Sequence, residues 1–228
     1  MSKFQKFLLT GVVIAAGMTG IAQAGTYAIT VAEGTTNGAI NAGPNALTGP
    51  ATATFTYTGA LDFNDTTPQN STPAGDTYSD FGFSTANISG YTGSGTVAYN
   101  GQAAADFSTL TSFLSSSASV SGETYGSAFT ISLGSLAAGT ILTITHDDGV
   151  SVYENGAAFG TTTSGPTSAI TESVTVPSTG DITLYYTRQN GSPSVLDVNV
   201  PEPGSLALLG TGLLGLGLIA RRRRNKSI

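Results

Sequence analysis

Ala51-Thr52-Ala53-Thr54-Phe55-Thr56-Tyr57-Thr58 alternates without a break, with threonine on one side of the chain and Ala53, Phe55 and Tyr57 on the other. Successive side chains of a strand point to opposite faces, so a strict period of two reads as a half-buried β-strand. Working outward, similar short strands are expected at Tyr27–Val31, Tyr78–Phe83, Thr96–Tyr99, Ala128–Leu133, Thr140–Thr145, Val150–Tyr153, Ile170–Val176, Ile182–Arg188 and Val195–Val200. Turn chemistry separates them: Asn41-Ala42-Gly43-Pro44, Asp148-Gly149, Asn155-Gly156 and Asn190-Gly191. Asp-Gly and Asn-Gly tolerate positive φ and are favoured in two-residue hairpins. About ten short strands in residues 25–200 predict an all-β chain with a single β-sandwich or jelly-roll domain. One helix is expected over Asp106–Ser115, with Asp106 as its cap and Phe107, Leu110 and Leu114 on one face. Residues 62–76 are polar, acidic and proline-containing, and read as a long surface loop.

Composition narrows the chemistry. The chain has 228 residues with no cysteine, no tryptophan and one histidine. That excludes a disulfide framework, Cys-ligated zinc, thiol catalysis and a polyhistidine metal site. The formal charge of −6 hides a division along the chain. Between Gly25 and Val200 a single arginine, Arg188, faces thirteen carboxylates, giving that part a net charge of −12. Nucleic-acid binding needs clustered Lys and Arg on one face, so it is excluded for this part. All nine tyrosines and eight of the ten phenylalanines also lie there, supplying the bulk for a β core.

The remaining cations sit at the two ends. Lys3 and Lys6 precede the apolar run beginning at Phe7, and Ala22-Gln23-Ala24 provides a small-x-small cleavage signal before Gly25. Residues 1–24 therefore read as a secretory signal peptide cut between Ala24 and Gly25, which places residues 25–200 outside the cytoplasm. At the other end, Pro201-Glu202-Pro203 leads into an uncharged stretch over 204–220, followed by Arg221, Arg222, Arg223 and Arg224. The stretch sits at the lower limit of the roughly 17–25 residues a membrane helix needs. Its arginine block orients it with the acidic domain outside.

This triplet, helix and arginine block closely resemble the PEP-CTERM sorting signal of bacterial surface proteins. The resemblance implies export through the general secretion machinery of a Gram-negative-type bacterium and an intermediate anchored by the single C-terminal helix. An exosortase-type membrane protease then recognises the tail, and the protein passes to the cell surface or extracellular matrix. Pro201, Glu202, Pro203 and Arg221–Arg224 are recognition residues on this reading.

Within the domain, Asp147-Asp148-Gly149-Val150-Ser151-Val152-Tyr153-Glu154-Asn155-Gly156 places two adjacent carboxylates at a turn. With Ile182–Leu196, read as a closing hairpin, it resembles the protective-antigen-like β-sandwich also used by flocculin adhesins. In that adhesin branch the paired aspartates hold a calcium ion that orients a sugar. The resemblance implies calcium as cofactor, Asp147 and Asp148 as ligands, and Asn190 as a loop ligand. His146 beside them reads as a polar residue at a strand end. No G-x-S-x-G elbow is present, and the expected protein is not an enzyme. The function expected is an exopolysaccharide-associated surface or biofilm protein that binds carbohydrate or mediates adhesion. Two alternatives stand beside it: a secreted polysaccharide-modifying enzyme, and a protein adsorbing to surfaces or ice through its threonine face.

Overall fold

The computed structural model describes residues 24–35, 39–47, 49–65, 77–99, 102–116, 125–189 and 193–200. The expected signal peptide, apart from Ala24, and the expected membrane helix at 204–220 lie outside the described residues, as do Asn190 and all of the sorting tail. Among the described residues no helix is long and apolar enough to cross a membrane.

The alternating segment is β2 (Ala51–Gly59), with Ala51, Ala53, Phe55 and Tyr57 buried and Thr52, Thr54 and Thr58 exposed. It pairs antiparallel with β1 (Gly25–Thr35), which in turn pairs with β7 (Tyr125–Leu136). Around them stand β4 (Ile88–Ser94), β9 (Val150–Glu154), β10 (Ala157–Ala158) and β12 (Gly180–Gln189), forming a seven-stranded sheet in the order β10-β9-β12-β7-β1-β2-β4. A second, four-stranded sheet runs β11-β8-β13-β3, from β11 (Ile170–Thr175), β8 (Ile141–Asp147), β13 (Ser194–Asn199) and β3 (Asp62–Asp65). The inner faces of both sheets share one core: Ile29, Phe55, Phe129 and Leu184 from the first meet Leu142, Ile144, Leu196 and Phe63 from the second. The architecture is therefore the expected all-β sandwich, with a separate β5–β6 hairpin (Thr96–Tyr99 and Gln102–Asp106). Registers place Thr54 between Thr30 and Thr92, so the solvated side of β2 continues across its neighbours as a row of threonines.

Five local expectations change. Tyr78–Phe83 is a turn rather than a strand. Thr77 and Asp80 close it through reciprocal hydrogen bonds, and it drives Tyr78, Phe81 and Phe83 into the core. Residues 62–65, read as the start of a loop, form β3, because Phe63 and Asp65 are both buried beside β13. The helix α1 spans only Leu110–Ser115, and its cap is Thr109, whose side chain accepts from the Ser112 amide. Asp106 stays at the end of β6 and accepts instead from the Ser108 amide at 2.9 Å. Asn155-Gly156 is a two-residue hairpin between β9 and β10, with φ of 48° and 83°. Asp148-Gly149 is not a hairpin at all: β8 belongs to the second sheet and β9 to the first, so this turn carries the chain across the sandwich. The same holds for β12 and β13, so the expected closing hairpin over Ile182–Leu196 is a second crossover.

Candidate functional site at the acidic crossover

Both crossovers meet at one end of the sandwich, and the acidic turn lies where they meet. Asp147 closes β8 opposite Val195 of β13, and Val150 opens β9 opposite Tyr186 of β12. The Asp147–Asp148 peptide is cis. Gly149 follows because nothing larger fits: a Cβ there would lie 1.9 Å from the Ser164 carbonyl oxygen. Gly149→Ala should therefore push residues 160–169 off the turn and cost roughly 1–3 kcal/mol, the usual range for overpacking. A thermal melt of the variant that overlays the wild type would contradict this close approach.

Three segments are lashed around the turn. Residues 160–169 supply backbone amides: Asp147 accepts from Ala169, and Asp148 from Thr167. The end of β12 supplies the Gln189 amide, which donates to Asp148 Oδ2 at 2.6 Å. Residues 39–47 close the outer side, where the Ile40 amide donates to Gln189 Oε1 at 2.7 Å and the Ala42 amide to the Ser164 carbonyl at 2.7 Å. From beneath, the Tyr186 hydroxyl donates to the Asp147 carbonyl at 2.5 Å.

His146 is fully buried rather than a rim residue, since it points inward from β8. Its Nδ1 lies 2.5 Å from the Asp148 carbonyl and its Nε2 3.0 Å from Glu172 Oε2. Glu172 completes the bracket by accepting the Thr163 amide and hydroxyl. Burial pushes the Glu172 carboxyl up, but these hydrogen bonds and His146 outweigh it and hold it below the usual carboxylate range.

The electrostatics of the aspartates run the other way. Burial raises Asp147, and burial together with the neighbouring Asp147 charge pushes Asp148 up to about 7. The two adjacent carboxyl groups are coupled, each acting on the other's hold on a proton. Arg188, the one cation of residues 25–200, is committed to Asp65. A hard cation could balance the two carboxylates, and the donor set is of the right kind: two carboxylates amid backbone groups, with no soft ligand. Among the described residues no third acidic group or histidine joins them as a metal cluster, so further oxygens would come from backbone or water.

Of the residues expected from sequence, Asp147 and Asp148 are brought together, and Asn190 lies outside the described residues next to Gln189. Gln189, Tyr186, Thr167 and Ala169 escaped the sequence reading. Three of them act at this turn through backbone amides, which any residue type carries.

The C-terminal tail is decided by comparison with known families. Residues 199–224 match the PEP-CTERM protein-sorting motif. The PEP-CTERM span takes in Pro201–Pro203 and Arg221–Arg224. The motif marks an exported protein that passes through a membrane-anchored stage to the cell surface, with an exosortase as its processing partner. No curated protein matches the chain. Two solved structures are similar to it. One is the PA14 domain of the MpAFP antifreeze protein, at 17% identity and a TM-score of 0.40, covering 76% of this chain and 79% of that one. The other is a PA14 sugar-binding domain from an RTX adhesin, at 15% identity and a TM-score of 0.38, covering 78% of this chain and 88% of that one.

Proposed function

We propose that residues 25–200 form a calcium-dependent carbohydrate-binding or adhesion module, displayed on the cell surface or held in an exopolysaccharide matrix. The observation that carries this reading is the Asp147–Asp148 pair. Two adjacent buried carboxylates lie at the loop-lined end of a sandwich whose tail is a sorting signal, and among the described residues Arg188 is paired with Asp65 and His146 with Glu172. Asp147 and Asp148 would hold the ion, with Asn190 as a further ligand. Bound calcium would supply positive charge and open coordination positions for sugar hydroxyls. The chain's own part is to hold the aspartates through the Thr167, Ala169 and Gln189 amides and to wall the site with residues 39–47 and 160–169.

A ligand that binds only the folded state stabilises it by about 2.7 kcal/mol at a hundredfold excess over its Kd. Added calcium should accordingly raise the melting temperature of the purified protein, and Asp147→Ala with Asp148→Ala should abolish the rise. Identical melting curves in calcium and in chelator would end the calcium reading. Retention on the producing strain's own polysaccharide, lost in chelator, tests the sugar. Release of reducing ends from that polysaccharide would replace this reading with the enzymatic one.

A further inference from the structure

We propose that Tyr186 and Arg188 are positioning residues that clamp the two sheets together beneath the acidic turn and thereby set its geometry. The inference rests on the calcium reading above only for its ligand; the clamp itself is a matter of contacts.

The turn has an unusual dependence on sheet-to-sheet offset. Asp147 is the last residue of a strand in the four-stranded sheet, whereas the amide that holds Asp148 belongs to Gln189, the last residue of a strand in the seven-stranded sheet. Any slip between the sheets at this end would change the distance between the carboxylates and their donors. Two inward side chains of β12, two residues apart and so on one face, span that gap. Tyr186 reaches across to the Asp147 carbonyl. Arg188 reaches across to Asp65 of β3 through Nη2 at 2.6 Å and to Ser194 of β13 through Nε at 2.8 Å. The contact to Ser194 also bridges the second crossover, from near the end of β12 to the first residue of β13.

Phe81 joins the two arms. Its ring stacks on Tyr186 at 5.9 Å with an interplanar angle of 3°, and the Arg188 guanidinium lies 4.6 Å from its centroid. The stack keeps both side chains extended toward the opposite sheet. All of these groups are buried, so solvent does not compete for the contacts.

Removing Arg188 outright endangers folding, so the test uses two gentler variants of the full chain. Tyr186→Phe keeps the ring stack and deletes only the hydroxyl, and Ser194→Ala deletes one anchor of Arg188. Calcium titration calorimetry should show Kd raised about tenfold in Tyr186→Phe and by a smaller factor in Ser194→Ala. Hydrogen exchange without calcium should quicken at the Gln189 amide, while amides in the middle of β7 keep their wild-type rates. Unchanged Gln189 exchange and unchanged Kd in Tyr186→Phe would overturn the clamp. So would a uniform quickening across all strands, which is the mark of general destabilisation. If the wild type takes up no calcium yet Gln189 exchange responds as stated, the calcium reading falls and the clamp stands.

Discussion

Arg188→Met is expected to destabilise the protein by about 3–5 kcal/mol, and Asp65→Leu added to it to restore most of that loss. Arg188 and Asp65 have no exposed side-chain surface, and the guanidinium bonds the carboxylate at 2.6 Å. Deleting the arginine leaves the Asp65 carboxylate buried without its charge partner. It also removes the Nε–H that donates to the Ser194 hydroxyl. The cost is therefore mostly that of a buried charge whose counter-charge is gone, not of lost attraction. Methionine retains much of the arginine's length and can lie against Phe81, so little cavity adds to the cost. Leucine at 65 then removes that buried charge, and two apolar side chains meet where two charges met. Urea unfolding of wild type, both single variants and the double variant closes the cycle. A double variant as unstable as Arg188→Met would show that the pair itself, and not the stranded aspartate, carries the stability.

That pair also marks the limit of reading the chain locally. Period-two alternation was enough for β2 and for most strands of the seven-stranded sheet, because half-burial leaves its signature within a few residues. The sorting tail was equally legible, since its parts are contiguous. Asp62-Phe63-Asn64-Asp65 was not: a segment with two aspartates and an asparagine reads as a loop until Arg188, 123 residues away, makes Asp65 a buried residue. Its one legible sign was the lone cation at 188 set among thirteen carboxylates. The acidic turn divides in the same way. The adjacent carboxylates are visible in the sequence, but Asp148-Gly149 has the local chemistry of a hairpin, and only long-range pairing makes it a crossover. Asn155-Gly156, with similar chemistry, is a hairpin because β9 and β10 share a sheet. Tyr78–Phe83 misled for a related reason, since its aromatic residues fill the core from a turn closed by Thr77 and Asp80.

Glu33→Gln is expected to remove a pH dependence of stability worth about 5 kcal/mol. Glu33 points inward from β1 and is fully buried, with the hydroxyls of Tyr78 and Tyr125 on its two oxygens and Ser127 hydrogen-bonded to Tyr78 in turn. Burial pushes its carboxyl from an ordinary 4.5 up to about 8, against the pull of both tyrosines and of Arg188. Between those two values the folded chain binds the proton and the unfolded chain does not. Stability from this group is therefore complete below pH 4.5 and is lost as the pH rises through 8, at up to about 1.4 kcal/mol per pH unit. Glutamine reproduces the protonated pattern, with one oxygen to accept from a tyrosine and an NH2 to donate to the other, and it cannot ionise. The variant should match the wild type near pH 4.5 and exceed it by a few kcal/mol above pH 8. Asp148 drains stability in the same direction, but it is present in both proteins and cancels in their difference, provided both are measured in chelator. Urea unfolding free energies at half-unit steps from pH 4.5 to 9 give that difference directly. If the two curves stay parallel across the range, Glu33 is ionised in the folded protein throughout, and the charge on Arg188 balances it as well as Asp65.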